Sequence, residues 1–165
     1  MADKEYKIEI IEKPSITVIG KMGQGSCSAL DSSWIQDLWD EANEHFSELG
    51  NLVEVDKDGN FSGFWGLMSD IDENFLPWDW QGKYLAGCEV KKNSIAPNGW
   101  TKWVLPSFRY LSVYCNHNTY YDTMNYVRND YMPKHKYKLV AAIQEYYSPK
   151  SIDGSFQLLF PIEVL

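Results

Sequence analysis

Along the chain the apolar positions switch between a period of two and a helical period, and they do so twice. Tyr6–Glu12 and Ile16–Met22 read as strands joined at Lys13-Pro14-Ser15, the second weighted by β-branched Val18 and Ile19, and together they predict a hairpin. Gly23, Gly25 and Ser26 read as a loop leading to Asp31-Ser32-Ser33, whose side chains suit the orphan N–H groups of a helix start. From Ile35 the apolar residues Trp39, Ala42, Phe46 and Leu49 follow at spacings of four, three, four and three. Asp37, Asp40, Glu41, Glu44 and Glu48 fill much of the remainder, and Gly50 supplies the stop. After a turn at Asp58-Gly59, strands are predicted at Phe61–Met68 and Lys83–Val90, separated by the loop Ser69–Gln81.

From Thr101 the same order returns: strands at Lys102–Leu105 and Phe108–Cys115, a helix from about Asn118 to Met132, then strands at Lys138–Tyr147 and Ser155–Val164. Tyr120, Met124, Val127 and Tyr131 repeat the helical spacing, and Pro133 is expected to end that helix. Pro14-Ser15 and Pro106-Ser107 fall at equivalent joints. The expectation is an α+β fold in one domain over residues 1–165, a tandem repeat of two ββαββ-like units, about 1–92 and 101–165, linked by Asn93–Gly99. Each unit would carry an antiparallel sheet, with a ligand groove where the two meet.

Charge narrows the function. A net charge of −8, a pI near 4.8 and only two arginines, Arg109 and Arg128, argue against direct nucleic-acid contact, which needs clustered cations. There is no apolar run of the ~20 residues that a membrane helix requires, and Met1-Ala2-Asp3-Lys4 does not open a secretion signal. These features place the chain in the cytoplasm. Cys27, Cys88 and Cys115 are odd in number and widely spaced, a pattern of reduced thiols rather than a disulfide frame or zinc site. Seven Trp and eleven Tyr exceed what a core of this size requires and suit a flat ligand.

Most candidate motifs dissolve on inspection. Asp70-Ile71-Asp72-Glu73-Asn74 begins like a calcium loop, but Phe75 stands where Gly is needed and Gln81 where a bidentate Glu is needed. Gly20, Gly23 and Gly25 lack phosphate-loop spacing, His45, His117 and His135 are scattered, and Ser26 and Ser28 lie in no nucleophile elbow. No cofactor or metal is expected. Glu145 is different, because Val140–Tyr147 sets a carboxylate in an otherwise apolar strand, on one face with Ile143 and Tyr147 and opposite Gln144 and Tyr146. Pattern alone leaves open whether that face is the buried one.

The segments "YKIEIIEKPSITVIG" at Tyr6–Gly20, "YLAGCEV" at Tyr84–Val90 and "AIQEYYSPKSIDGSFQLLFPIEV" near the end resemble the GyrI-like, or effector-binding, family in order and spacing. The resemblance covers nearly the whole chain. It implies a tandem α+β fold with a ligand groove at the junction, and it assigns the family's characteristic carboxylate to Glu145. Many relatives carry a helix-turn-helix domain, whereas here the first strand begins within six residues of Met1, so a stand-alone member is expected. Some stand-alone relatives open the strained ring of cyclopropane-bearing alkylating agents, and others protect against toxins or modulate gyrase.

The resulting expectation is a protein that captures planar hydrophobic or cationic polycyclic compounds in an aromatic pocket. Trp65, Trp39, Tyr110, Tyr114 and Tyr147 are the candidate walls around Glu145. In an enzymatic version Glu145 deprotonates a water that attacks a strained carbon, with Tyr147 or Tyr110 donating to the oxygen that gains charge. In the non-catalytic version the carboxylate pairs with a ligand cation in a sensor or sequestering protein. A third reading has the acidic first helix bind a protein partner such as gyrase.

Overall fold

The computed structural model describes residues 6–26, 33–151 and 153–165; Cys27, Ser28 and two residues of the expected cap, Asp31 and Ser32, fall outside them. The strands are β1 (Ile8–Lys13), β2 (Ile16–Ser26), β3 (Phe64–Ser69), β4 (Gln81–Val90), β5 (Thr101–Leu105), β6 (Phe108–Cys115), β7 (Gln144–Tyr147) and β8 (Phe156–Val164). Helix α1 spans Ser33–His45 and runs into a 3-10 turn at Phe46–Leu49. Helix α2, Tyr120–Tyr126, continues through a π-helical turn at Val127–Tyr131 and a last α turn at Met132–Lys134. The fold is α+β and its sheet is antiparallel throughout, as expected, but the strands form one eight-stranded sheet rather than two.

The hairpin predicted at Lys13-Pro14-Ser15 is absent, as is one at the equivalent Pro106-Ser107 joint, for a physical reason. In the order β1-β6-β8-β7-β3-β4-β2-β5, β1 and β2 are six positions apart, as are β6 and β5, although Pro14-Ser15 and Pro106-Ser107 are the only residues joining them. Six flat strand spacings would cover roughly 29 Å, whereas a two-residue link reaches only about 11 Å. The sheet therefore curls until its edges approach, and each Pro-Ser joint carries the chain across the seam. β1 pairs with β6, Ile8 opposite Val113 and Lys13 opposite Phe108, and β5 pairs with β2.

Curling gives the sheet an inner face, filled by Val18, Trp65, Leu67, Leu85, Trp103, Leu105, Phe108, Tyr110 and Leu159. The other face carries both helices. Ala42 of α1 packs with Met68, Tyr84, Ala86 and Ala142, while Val127 and Met132 pack with Leu111, Val113, Leu158 and Phe160. The middle strands β7 and β3 lie between the two helical packings.

Local differences from the sequence reading have identifiable causes. Gly23 and Gly25 belong to β2 rather than to a loop: a Cβ there would meet Leu38 and Trp34 of α1, so the missing side chains seat the helix on the strand. Pro133 lies inside the last helical turn instead of ending the helix. Only Gln144–Tyr147 of the predicted Lys138–Tyr147 strand is regular, because the N–H groups of Val140 and Ala142 are taken by the carbonyls of Pro161 and Phe75.

Gln144 holds β7 in register. Beyond the Gly66–Glu145 pair its fully buried amide takes over the ladder, accepting from Met68 N–H at 2.6 Å and donating to the Met68 carbonyl at 3.0 Å. Replacing Gln144 with Leu leaves two buried backbone groups unpaired, so urea denaturation should show a loss of about 2–4 kcal/mol without a change in m-value.

Candidate functional site

Over β7 and β3, between the helices, lies a cavity of about 580 Å³, in the usual size range of small-molecule pockets. Its wall draws on four sources: Ile35 and Trp39 from α1, Met124 and Arg128 from the second helical segment, Pro77 and Trp78 from the loop before β4, and Tyr84, Glu145, Tyr147 and Phe156 from the sheet.

Glu145 sits at the centre of the sheet, opposite Gly66 on β3 and Leu158 on β8, and is only 6% exposed. Its face and that of Gln144 are both buried, which removes the choice that the alternating pattern left open. Three phenols serve the carboxylate. Tyr84 donates to Oε1 at 2.5 Å, Tyr147 donates to the same oxygen at 3.0 Å, and Tyr120 donates to Oε2 at 2.8 Å. Trp39 Nε1 donates to the Tyr84 hydroxyl at 2.9 Å, so the phenol proton is left to point at Glu145. The Trp39 ring meets Tyr84 and Tyr147 edge-on, with centroids 6.4 and 5.3 Å away, and Phe156 stacks on Tyr147 at 4.6 Å.

Gly66 makes this arrangement possible. A Cβ at that position would stand 2.0 Å from the Tyr84 hydroxyl and 2.6 Å from Glu145 Oε1, so the vacant face of a glycine admits both groups. The electrostatics follow from burial. Desolvation pushes the Glu145 carboxyl above its ordinary value and outweighs the opposing pull of the three phenols and of His117. The same burial, reinforced by the neighbouring carboxylate, drives Tyr84, Tyr120 and Tyr147 upward, so they remain protonated donors. Cys115 is pushed up to about 12, chiefly by burial, and offers no thiolate. Among the described residues no three His, Cys, Asp or Glu side chains converge to hold a metal ion, and no helix is long and apolar enough to cross a membrane.

Glu145, Tyr147 and Trp39, singled out in the sequence, meet in this cavity. Trp65, Tyr110 and Tyr114 do not. Trp65 precedes Gly66 by one residue and so faces the opposite side of the sheet, where its Nε1 donates to Glu89 and its ring packs on Tyr146 at 4.7 Å. Tyr110 is buried on that inner face against Phe108, and Tyr114 is 60% exposed outside the cavity. Tyr84, Tyr120, Trp78 and Gly66 went unseen as site residues. Tyr84 heads the "YLAGCEV" segment and Tyr120 the second helical stripe, but only the strand register brings either to Glu145.

Two outcomes follow. Gly66→Ala should displace Tyr84 from the carboxylate and lower stability by about 1–3 kcal/mol, the usual effect of overpacking, in denaturant titration. An acid whose folded pKa is raised favours the fold while it is protonated. Measured against Glu145→Gln, wild-type stability should therefore be greatest below the ordinary glutamate value of 4.5, fall as pH rises, and level off once Glu145 ionises in the folded protein. Thermal melts of both proteins across about pH 4 to 8 check the sign.

No curated protein sequence matches the chain. Among solved structures, SAV2435 bound to tetraphenylphosphonium is similar with a TM-score of 0.67 at 16% identity, over 97% of this chain and 94% of that one. The C-terminal domain of EcmrR gives 0.60 at 16% identity over 97% and 99%, and a hydrolase from Listeria innocua gives 0.54 at 10% identity over 98% and 94%. At these identities the likeness concerns the fold. The model of the GyrI-like small molecule binding domain matches residues 6–158, nearly the whole length, and the chain belongs to the GyrI-like family.

Proposed function

We propose that this protein captures planar hydrophobic or cationic polycyclic compounds in the cavity over β7 and β3. The supporting observation is a buried carboxylate with three phenol donors and no ion-pair partner among the described residues, walled by Trp39, Trp78, Tyr147 and Phe156. A delocalised cation fits this setting: its charge faces Glu145, the aromatic faces stabilise it further, and its apolar body replaces water. The tetraphenylphosphonium bound to SAV2435 matches this in charge and aromatic surface, although it is tetrahedral rather than planar.

The raised pKa of Glu145 favours a second reading, in which the same carboxylate is a general base. It would take a proton from a water that forms a C–O bond to a cyclopropane carbon as a ring C–C bond breaks, the electron pair passing into a conjugated carbonyl whose oxygen gains charge and accepts a hydrogen bond from Tyr147 or Tyr84. Water adds across the opened bond and Glu145 returns the proton. Tyr110 has no part in this reading, since it lies on the other face.

Tetraphenylphosphonium should change the intrinsic tryptophan fluorescence saturably, and Glu145→Gln should weaken its binding by about 1.5–3 kcal/mol, the scale of a charged interaction. A neutral polycyclic ligand should be held nearly as well by the variant. Mass spectrometry after incubation with a cyclopropane-bearing electrophile distinguishes the readings. Water-added product that falls roughly 10²–10⁴-fold in the variant establishes the base, and absence of product with either protein leaves capture alone.

A further inference from the structure

The chain has two arginines, and they are treated differently. Arg109, at the β1–β6–β8 edge, is held by Glu12 and Glu163. Arg128 lines the cavity and has no ion-pair or hydrogen-bond partner among the described residues, although the chain carries 23 Asp and Glu. Its side chain is exposed, so the guanidinium meets solvent at the rim of the cavity. It stands on the cavity wall with Asn125, which precedes it by three residues and so shares its helix face. Asn125 lies near the end of the α-helical segment and Arg128 within the π-helical turn Val127–Tyr131 that follows, a departure from α geometry that proteins often place at binding sites.

The cavity is thus bipolar. Its floor is the carboxylate of Glu145, ringed by phenols, and its mouth on the second helical segment offers the planar donor fork of Arg128 beside the amide of Asn125. Asp79 lies on the wall contributed by the loop before β4. We infer that the protein selects amphiphilic aromatic ligands bearing an anionic group, of which a carboxylate is the simplest, held at the mouth by Arg128 and Asn125 while the aromatic body lies toward Glu145. A carboxylate matches the guanidinium fork in shape and charge. The same group turned inward would meet Glu145, so the two poles also fix the orientation of the ligand. This inference rests on the capture reading above.

Two dyes on one skeleton test it: rhodamine B, which carries a free carboxylate, and its ethyl ester, which does not. Their affinities for wild type, Arg128→Gln and Arg128→Lys are read by fluorescence anisotropy. Arg128→Gln should weaken rhodamine B about tenfold while leaving the ester within about twofold, and Arg128→Lys, which keeps the charge but loses the fork, should fall between. Ester affinity also reports that the variants are folded. If wild type binds both dyes and Arg128→Gln changes them equally or not at all, the anionic subsite is overturned and capture stands. If neither dye binds wild type at about 100 µM, a very weak interaction, both the capture reading and this inference fall.

Discussion

A carboxylate taken out of water must be met by donors or by a cation, and that requirement organises the middle of this protein. Glu145 lies on an inner strand, where no chain end or loop can lend it solvent. Its donors come from three directions: Tyr84 from β4, across β3, Tyr120 from the first turn of α2, and Tyr147 from its own strand. Three phenols reduce the burial penalty without cancelling it, because a neutral donor offers a dipole where a cation would offer a full charge. The site is therefore complete as a polar network yet electrostatically unmet. Under the capture reading proposed above, a ligand cation would supply the charge that the phenols do not.

The helices are spaced by the same need. Tyr120 bonds Glu145 directly and Trp39 reaches it through the Tyr84 hydroxyl, so α1 and α2 stand far enough apart to leave a cavity and near enough to join one polar network. Small residues set the lower limits of these approaches. Gly66 makes room above the floor, and Gly23 and Gly25 let α1 settle onto β2. The aromatic richness of the sequence divides accordingly, with one set around Glu145 and another, including Trp65, Trp103, Phe108 and Tyr110, inside the curl of the sheet.

Periodicity made the element order legible, since the stripe from Ile35 to Leu49 and the alternation in Ile16–Met22 are local properties of the chain. Strand partnership was not local. The Pro-Ser joints resemble hairpin turns because a two-residue link ordinarily is one; only curvature of the whole sheet sends β1 to β6 and β5 to β2. The site divides in the same way. Glu145 stood out as a charge in an apolar strand and brought Tyr147 with it through the period of two. Tyr84 required knowing that Gly66 lies between β4 and β7, and Trp65 was misplaced because one residue of phase turns a strand side chain from one face to the other.

The crossing at the Pro-Ser joints bears on how the chain assembles during synthesis. β1 leaves the ribosome long before its partner residues, which begin at Phe108, so its edge stays open while β2, helix α1, β3 and β4 emerge. β2 and β4 can pair in that interval, whereas β2's other neighbour, β5, follows only later. Pairings so distant along the chain form slowly, because a long loop must close before any contact rewards it. Ile8, Ile10 and Ile11 thus wait as an unpaired β strand until residues 108–113 have been made. The charges Lys7, Glu9, Glu12 and Lys13 interrupt that apolar run, a composition that disfavours edge-to-edge pairing with a second copy.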